Sequence, residues 1–180
     1  KAAFRTAERL FGIEFKDMKK FPKYHEDLRA YKVLDHNNKI VGIFLTDYFA
    51  RPSKQGGAWM TSYQDQSKNK GTKHPIVINV CNFPKPTKDK PTLLSFEQAI
   101  TLFHEFGHGL HGLLSNVTYP SLSGTSGPRD YVEFPSQMME NWIRSPKVLK
   151  EFALHHETGK KIPQDLLKKY EKCQKFNQGF

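Results

Sequence analysis

Leu102–Leu114 reads LFHEFGHGLHGLL, with two histidines four residues apart and a glutamate directly after the first. On a helix this spacing stacks His104 and His108 on one face, where both imidazoles reach one metal ion, and Glu105 points beside that face. The residue types divide the chemistry: two neutral nitrogen ligands for zinc, and one carboxylate placed to act as general base on a water. The motif works only on a helix, so it constrains the fold as well. Ser95 with Gln98 is a capping box, and Phe96, Ala99, Ile100 and Phe103 then recur at helical spacing, which puts the motif on a helix starting at Ser95. Gly107 inside that helix is about 1 kcal/mol less favourable than Ala, so another backbone or side chain is expected to pack closely there.

A catalytic zinc site needs a third protein ligand and leaves its fourth position to water. The pattern H-E-x-x-H-x-x-G-x-x-H is excluded, because this chain has His111 where Gly is required and Leu114 where the third His is required. A glutamate from a downstream helix is the remaining common route. Glu133 and Glu140, 25 and 32 positions after His108, are the two candidates that the spacing leaves open.

Upstream of the motif the periodicity is that of strands. Residues 2–12 read as a helix ending at Gly12. Leu28–Leu34 alternates, Asp35–Lys39 is turn-like and Ile40–Leu45 is apolar and β-branched, which together read as a hairpin. Ala58–Tyr63 and Pro75–Cys81 are two further strand candidates, giving a small sheet of about four strands over residues 25–83. Three prolines make Phe83–Pro91 an extended connector. The zinc-motif helix and a helix over Tyr131–Arg144, which Pro135 must start or bend, occupy about 95–144. The Ser/Thr/Gly-rich run Ser115–Gly127 between them reads as loop. Helices over Pro146–His156 and Pro163–Phe176 fill about 146–178. The expected class is α+β, mainly helical, with the sheet preceding the zinc-motif helix.

The chain is one domain's worth, long enough to bury a core without staples. Cys81 and Cys173 lack C-x-x-C spacing and read as two unpaired thiols, in keeping with a reducing compartment. No apolar run approaches 18 residues, and the charged amphipathic start is not a secretory segment, so no membrane association is expected. That start already reads as mid-helix, which points to missing upstream sequence. The net charge of +10 is spread over separate lysine-rich stretches with no basic-aromatic module. It reads as solvated surface and not as a nucleic-acid partner. A non-catalytic, basic nucleic-acid-binding domain is the alternative of another class, and it predicts no stoichiometric zinc and a steep salt dependence of DNA affinity.

HEFGHGLHGLL followed by SGTSGPRDYVEFPSQMMENW resembles the thimet oligopeptidase family of zinc peptidases, the M3 family, and within it the peptidyl-dipeptidase (dipeptidyl carboxypeptidase) branch. FRTAERLFGIEF, KYHEDLRAYKV, GIFLTDYFARPSKQGGAWM and the terminal KFNQGF also resemble family segments, so the likeness covers nearly all 180 residues. It implies that one Zn²⁺ is held by His104, His108 and Glu133, with Glu105 as the base, which prefers Glu133 to Glu140. Asp130, Gln137, Glu140 and His111 are then candidates to hold a ligand ring or to pack beside it. Gly57, Ala58 and Trp59 match the family's edge strand, along which a peptide substrate can add; ordinary turn chemistry of the two glycines is the equal alternative. The resemblance further implies a fragment of a larger zincin-like catalytic domain, acting on short peptides and releasing C-terminal dipeptides, with an endo-acting, oligopeptidase A-like enzyme as the alternative. The cytoplasm is the expected compartment, with periplasmic or exported parents left open. Oxyanion donors and one wall of the channel are expected in the remainder of the parent polypeptide. The isolated chain is therefore expected to bind zinc, to be inactive and to expose apolar surface.

Overall fold

The structure is a computed structural model that describes residues 1–176. Helix α1 (Ala2–Phe11) stops where Gly12 takes a left-handed φ of 64° and returns its N–H to the Glu8 carbonyl. The strands follow: β1 (Glu14–Asp17), β2 (Arg29–Leu34), β3 (Ile40–Phe49), β4 (Trp59–Gln64) and β5 (Ile76–Phe83), in the spatial order β1-β2-β3-β5-β4. The β2–β3 hairpin forms where expected. Asp35 closes it by accepting from the N–H groups of Asn37 and Lys39 at 2.8 Å each, while Asn38 takes a φ of 60°.

The sheet has five strands and begins at Glu14, a correction to the expected four strands from about residue 25. The missed strand, EFKD, is short and polar. It forms because Phe15 pairs opposite Val33 and joins an aromatic cluster, and local periodicity carries no trace of that. With five α-helices and a five-stranded sheet among the described residues, the fold is mixed α/β.

The sheet is covered on both faces. On one face Phe4, Phe15, Phe44 and Phe106 pack ring against ring, joining α1, β1, β3 and helix α2 (Phe96–Leu113). On the other, Leu28, Ala30, Leu45, Ile78 and Val80 form a second buried cluster under Met18 and Phe21. Helix α2 starts on the Ser95–Gln98 capping box, with both reciprocal bonds made. Short 3₁₀ turns, Pro120–Leu122 and Gly124–Ser126, interrupt the loop that leads to α3 (Arg129–Arg144). That helix begins two residues before the expected Tyr131 and runs through Pro135, whose missing N–H leaves the Tyr131 carbonyl without its helical donor.

Two compact units divide the chain, Lys1–Ile143 and Arg144–Phe180. In the second, α4 (Pro146–Phe152) ends four residues before the expected His156. The reason is local: His155 Nδ1 accepts from the backbone N–H groups of Glu157 and Thr158, and Gly159 at φ 64° completes a turn that pairs Leu154 with Lys161. Helix α5 (Gln164–Lys175) follows Pro163. Residues 177 and 178, expected to end the helical region, and most of KFNQGF lie outside the described residues. Cys81 is buried and Cys173 exposed, and both are free thiols. No described helix is long and apolar enough to cross a membrane.

Candidate metal centre

Helix α2 holds the motif rigidly because its opposite side is buried against β5, β4 and β3, with Phe106 and Leu110 in the core. His104 and His108 project together, their rings 4.9 Å apart and nearly perpendicular. Helix α3 crosses the same face. A Cβ on Gly107 would lie 2.5 Å from Ser136 Cα and 2.8 Å from the Pro135 carbonyl oxygen, so the expected close packing at Gly107 is backbone on backbone.

That crossing brings Glu133 over the histidines. Its Oε2 lies 3.1 Å from His104 Nε2 and 3.1 Å from His108 Nε2. Glu140, two helical turns further along α3, meets the other nitrogen of His104, Nδ1 to Oε1 2.7 Å. A carboxylate only accepts, so His104 Nδ1 donates to Glu140, and in the neutral ring Nε2 is then the lone-pair nitrogen on the Glu133 side. The two candidate glutamates therefore stand at opposite ends of one imidazole. His104, His108 and Glu133 form a group able to hold a metal ion.

The donor set fits zinc. Ligands about 2.0–2.1 Å from a tetrahedral metal lie about 3.3 Å from one another, close to the separations between Glu133 and the two rings. Burial lowers the His108 pKa against the attraction of Glu133, which favours the neutral ring that a metal requires. Burial works to raise the Glu133 pKa, but the Ser136 hydrogen bond and the two imidazoles outweigh it and keep the carboxylate ionised. Neutral imidazole lone pairs facing a carboxylate oxygen repel unless a cation or a proton lies between them. His108 Nδ1 and Glu105 Oε2 are buried with no hydrogen-bond partner among the described residues.

Glu105 is 7% exposed, and its pKa is raised, by burial first and by the nearby Glu133 charge, with the His104 charge opposing. It opens on a cleft of about 320 Å³ lined by Ala58, Trp59, Met60, Thr125 and Val132 together with the three metal-group side chains. Strand β4 is an edge of the sheet, and Ala58 and Trp59 bring its start to the cleft. Gly57, at φ 96°, lies in the turn before it, and its carbonyl accepts from Asn82 Nδ2 at 2.8 Å.

Other expected neighbours lie elsewhere. Asp130 and Gln137 are exposed and make no hydrogen bond to either imidazole among the described residues. His111 lies edge-on to Tyr131 at 6.2 Å in an apolar groove with Leu110, Phe134 and Met138. Ser136 was not anticipated: its hydroxyl bonds Glu133, and the i,i+3 spacing on a helix is the signal that could have found it.

The sequence pattern of peptidase family M3 matches residues 2–180. Dipeptidyl carboxypeptidase of Escherichia coli (strain K12) is 46% identical over 177 residues, 98% of this chain and 26% of the relative. Oligopeptidase A of the same organism is 41% identical over 169 residues, 92% of this chain and 25% of the relative. A probable cytosolic oligopeptidase A of Arabidopsis thaliana is 35% identical over 186 residues, 99% of this chain and 26% of the relative. The chain thus spans about a quarter of the length of these curated relatives. With residues 2–180 matched and the H-E-x-x-H helix facing Glu133, the chain belongs to peptidase family M3.

Proposed function

We propose that the complete protein carrying this chain is a zinc-dependent peptidase that releases C-terminal dipeptides from short peptides, and that residues 1–180 are part of a zincin-like catalytic domain. The single observation behind this reading is the convergence of His104 Nε2 and His108 Nε2 on one Glu133 oxygen, 3.1 Å from each, beside the buried Glu105. In this reading His104, His108 and Glu133 hold one Zn²⁺. When bound, zinc supplies Lewis acidity and lowers the pKa of a water.

The chain's own residues do the rest. The Glu105 carboxylate takes the proton of the attacking water and returns it to the leaving amine. Burial raises its proton affinity, which makes it a stronger base toward the water than an exposed carboxylate. Glu140 fixes the His104 tautomer through the Nδ1–H bond. The free edge of β4 offers main-chain donors and acceptors on which an extended peptide can lie beside Glu105.

The dipeptide-releasing mode is supported by the run SGTSGPRDYVEFPSQ and by the 46% identity to a dipeptidyl carboxypeptidase. The 41% identity to an oligopeptidase A keeps endo-cleavage as the second reading. Nothing supports the nucleic-acid-binding alternative. A cytosolic compartment is in keeping with the Arabidopsis relative's name. Mass spectrometry of N-blocked peptides incubated with the zinc-loaded complete protein tests the mode. Successive C-terminal dipeptides are expected, internal cuts alone would establish the endo mode, and uncut peptide would contradict the reading.

A further inference from the structure

Glu133 has less packing to fix it than its position over two imidazoles would lead one to expect. Its side chain is 51% exposed, so neighbouring atoms do not restrict its rotamer. One neutral side chain does hold it. Ser136, fully buried and one helical turn on, places Oγ 2.9 Å from Glu133 Oε2, the same oxygen that faces His104 and His108, and 2.8 Å from the Glu133 carbonyl. A carbonyl at this point of a helix already accepts from the N–H four residues on, so the single hydroxyl proton is available to the carboxylate.

The hydroxyl itself cannot drift. Ser136 Cα is the atom that a Cβ on Gly107 would meet at 2.5 Å, so Ser136 forms the crossing point of α2 and α3. The same residue is thus pinned to the histidine-bearing helix through its backbone and to Glu133 through its side chain.

We propose that Ser136 is the positioning residue of the third metal ligand, carrying the α2–α3 spacing set at Gly107 to the Glu133 carboxylate through its hydroxyl. The proposal rests on the reading of Glu133 as a zinc ligand. It explains why a half-exposed glutamate lies over both rings, and it gives the buried serine a role that packing alone would leave to alanine.

The test is a double-mutant cycle on the complete protein, with Zn²⁺ affinity read by competition with a chromophoric chelator and the Co²⁺ d–d spectrum as the signature of ligand geometry. Ser136→Ala is expected to weaken zinc binding by ~10–100-fold, the usual scale for losing a partner of a ligand, and to alter the Co²⁺ spectrum. The melting temperature of the zinc-free protein should change little. In a Glu133→Ala background the same substitution should change zinc affinity less than about 2-fold, because its effect passes through the carboxylate. Equal weakening in both backgrounds would make Ser136 a purely structural residue, and no weakening in either would also overturn the proposal. If Glu133→Ala alone leaves zinc affinity intact, both this proposal and the ligand assignment fail. If Glu133→Ala weakens binding and Ser136→Ala does not, only the positioning role fails.

Discussion

Glu105 and Glu133 are two carboxylates beside the same imidazoles, and their surroundings push them in opposite directions. Burial raises the proton affinity of Glu105, whereas Ser136 and the imidazoles overcome burial to keep Glu133 ionised. In the proposed reading that divergence separates a base from a ligand. Glu105→Gln in the complete protein should retain zinc and lose at least ~10²-fold in turnover, the scale of a positioned general base; loss of zinc equal to that in His108→Ala would reassign Glu105 as a metal-holding residue. Away from the cleft, burial works to raise the Asp47 pKa, but bonds from Arg51, Tyr24 and Lys54 hold it down at about 2. Because this folded-state pKa lies below that of the unfolded chain, about 3.9, the stabilisation is complete above pH 4 and is lost as pH falls through about 2. Urea unfolding between pH 5 and 2 should show an acid-side loss that is smaller in Asp47→Asn; identical slopes would remove Asp47 from the account. At this scale the sequence was informative where spacing alone specifies geometry, as for His104, Glu105 and His108. It could not choose between Glu133 and Glu140, because a 25-residue gap through a loop fixes no distance. The resemblance made that choice, and the two glutamates in fact bracket one ring.

Elements become a site at one crossing. Helix α2 reads clearly from its capping box and period, and Gly107 announced a close approach without naming its partner, the backbone of Pro135 and Ser136. Strand β1 and the early end of α4 were illegible because a neighbouring strand makes one and a histidine side chain the other. Gly107→Ala sets two effects against each other. Helix propensity favours Ala by about 1 kcal/mol, while overpacking against an unyielding backbone costs about 1–3 kcal/mol or more. With the contact at 2.5 Å from a Cα atom, the clash should win. Calorimetry should show a lower melting temperature and zinc titration a weaker site; a more stable variant would mean that the helices separate freely.

For the whole molecule, the mixed class and the placing of the sheet before the zinc-motif helix were legible, because the hydrophobic period changes from helix to strand after Gly12 and back again past the proline-rich connector. The described residues also present an apolar face, with Leu122, Tyr131, Phe134 and Met138 each about half exposed or more around a groove of about 550 Å³. The cleft beside Glu105 contains no Tyr, Arg or further His among its lining residues to stabilise an oxyanion, and losing even one such donor typically costs ~10²–10³ in rate. The isolated 180-residue chain should therefore bind zinc but turn over peptide far more slowly than the complete protein. Comparable turnover in a side-by-side assay would place the missing donors within this chain. The central claim is that two histidines and Glu133 form one zinc site, and a zinc-soaked crystal of the complete protein, measured at the zinc absorption edge, tests it most directly. The account predicts one anomalous peak with two imidazole nitrogens at about 2.0–2.1 Å and a Glu133 oxygen at about 2.0–2.2 Å. A peak coordinated by Glu140 with Glu133 turned away, or no peak at His104 and His108, would contradict it.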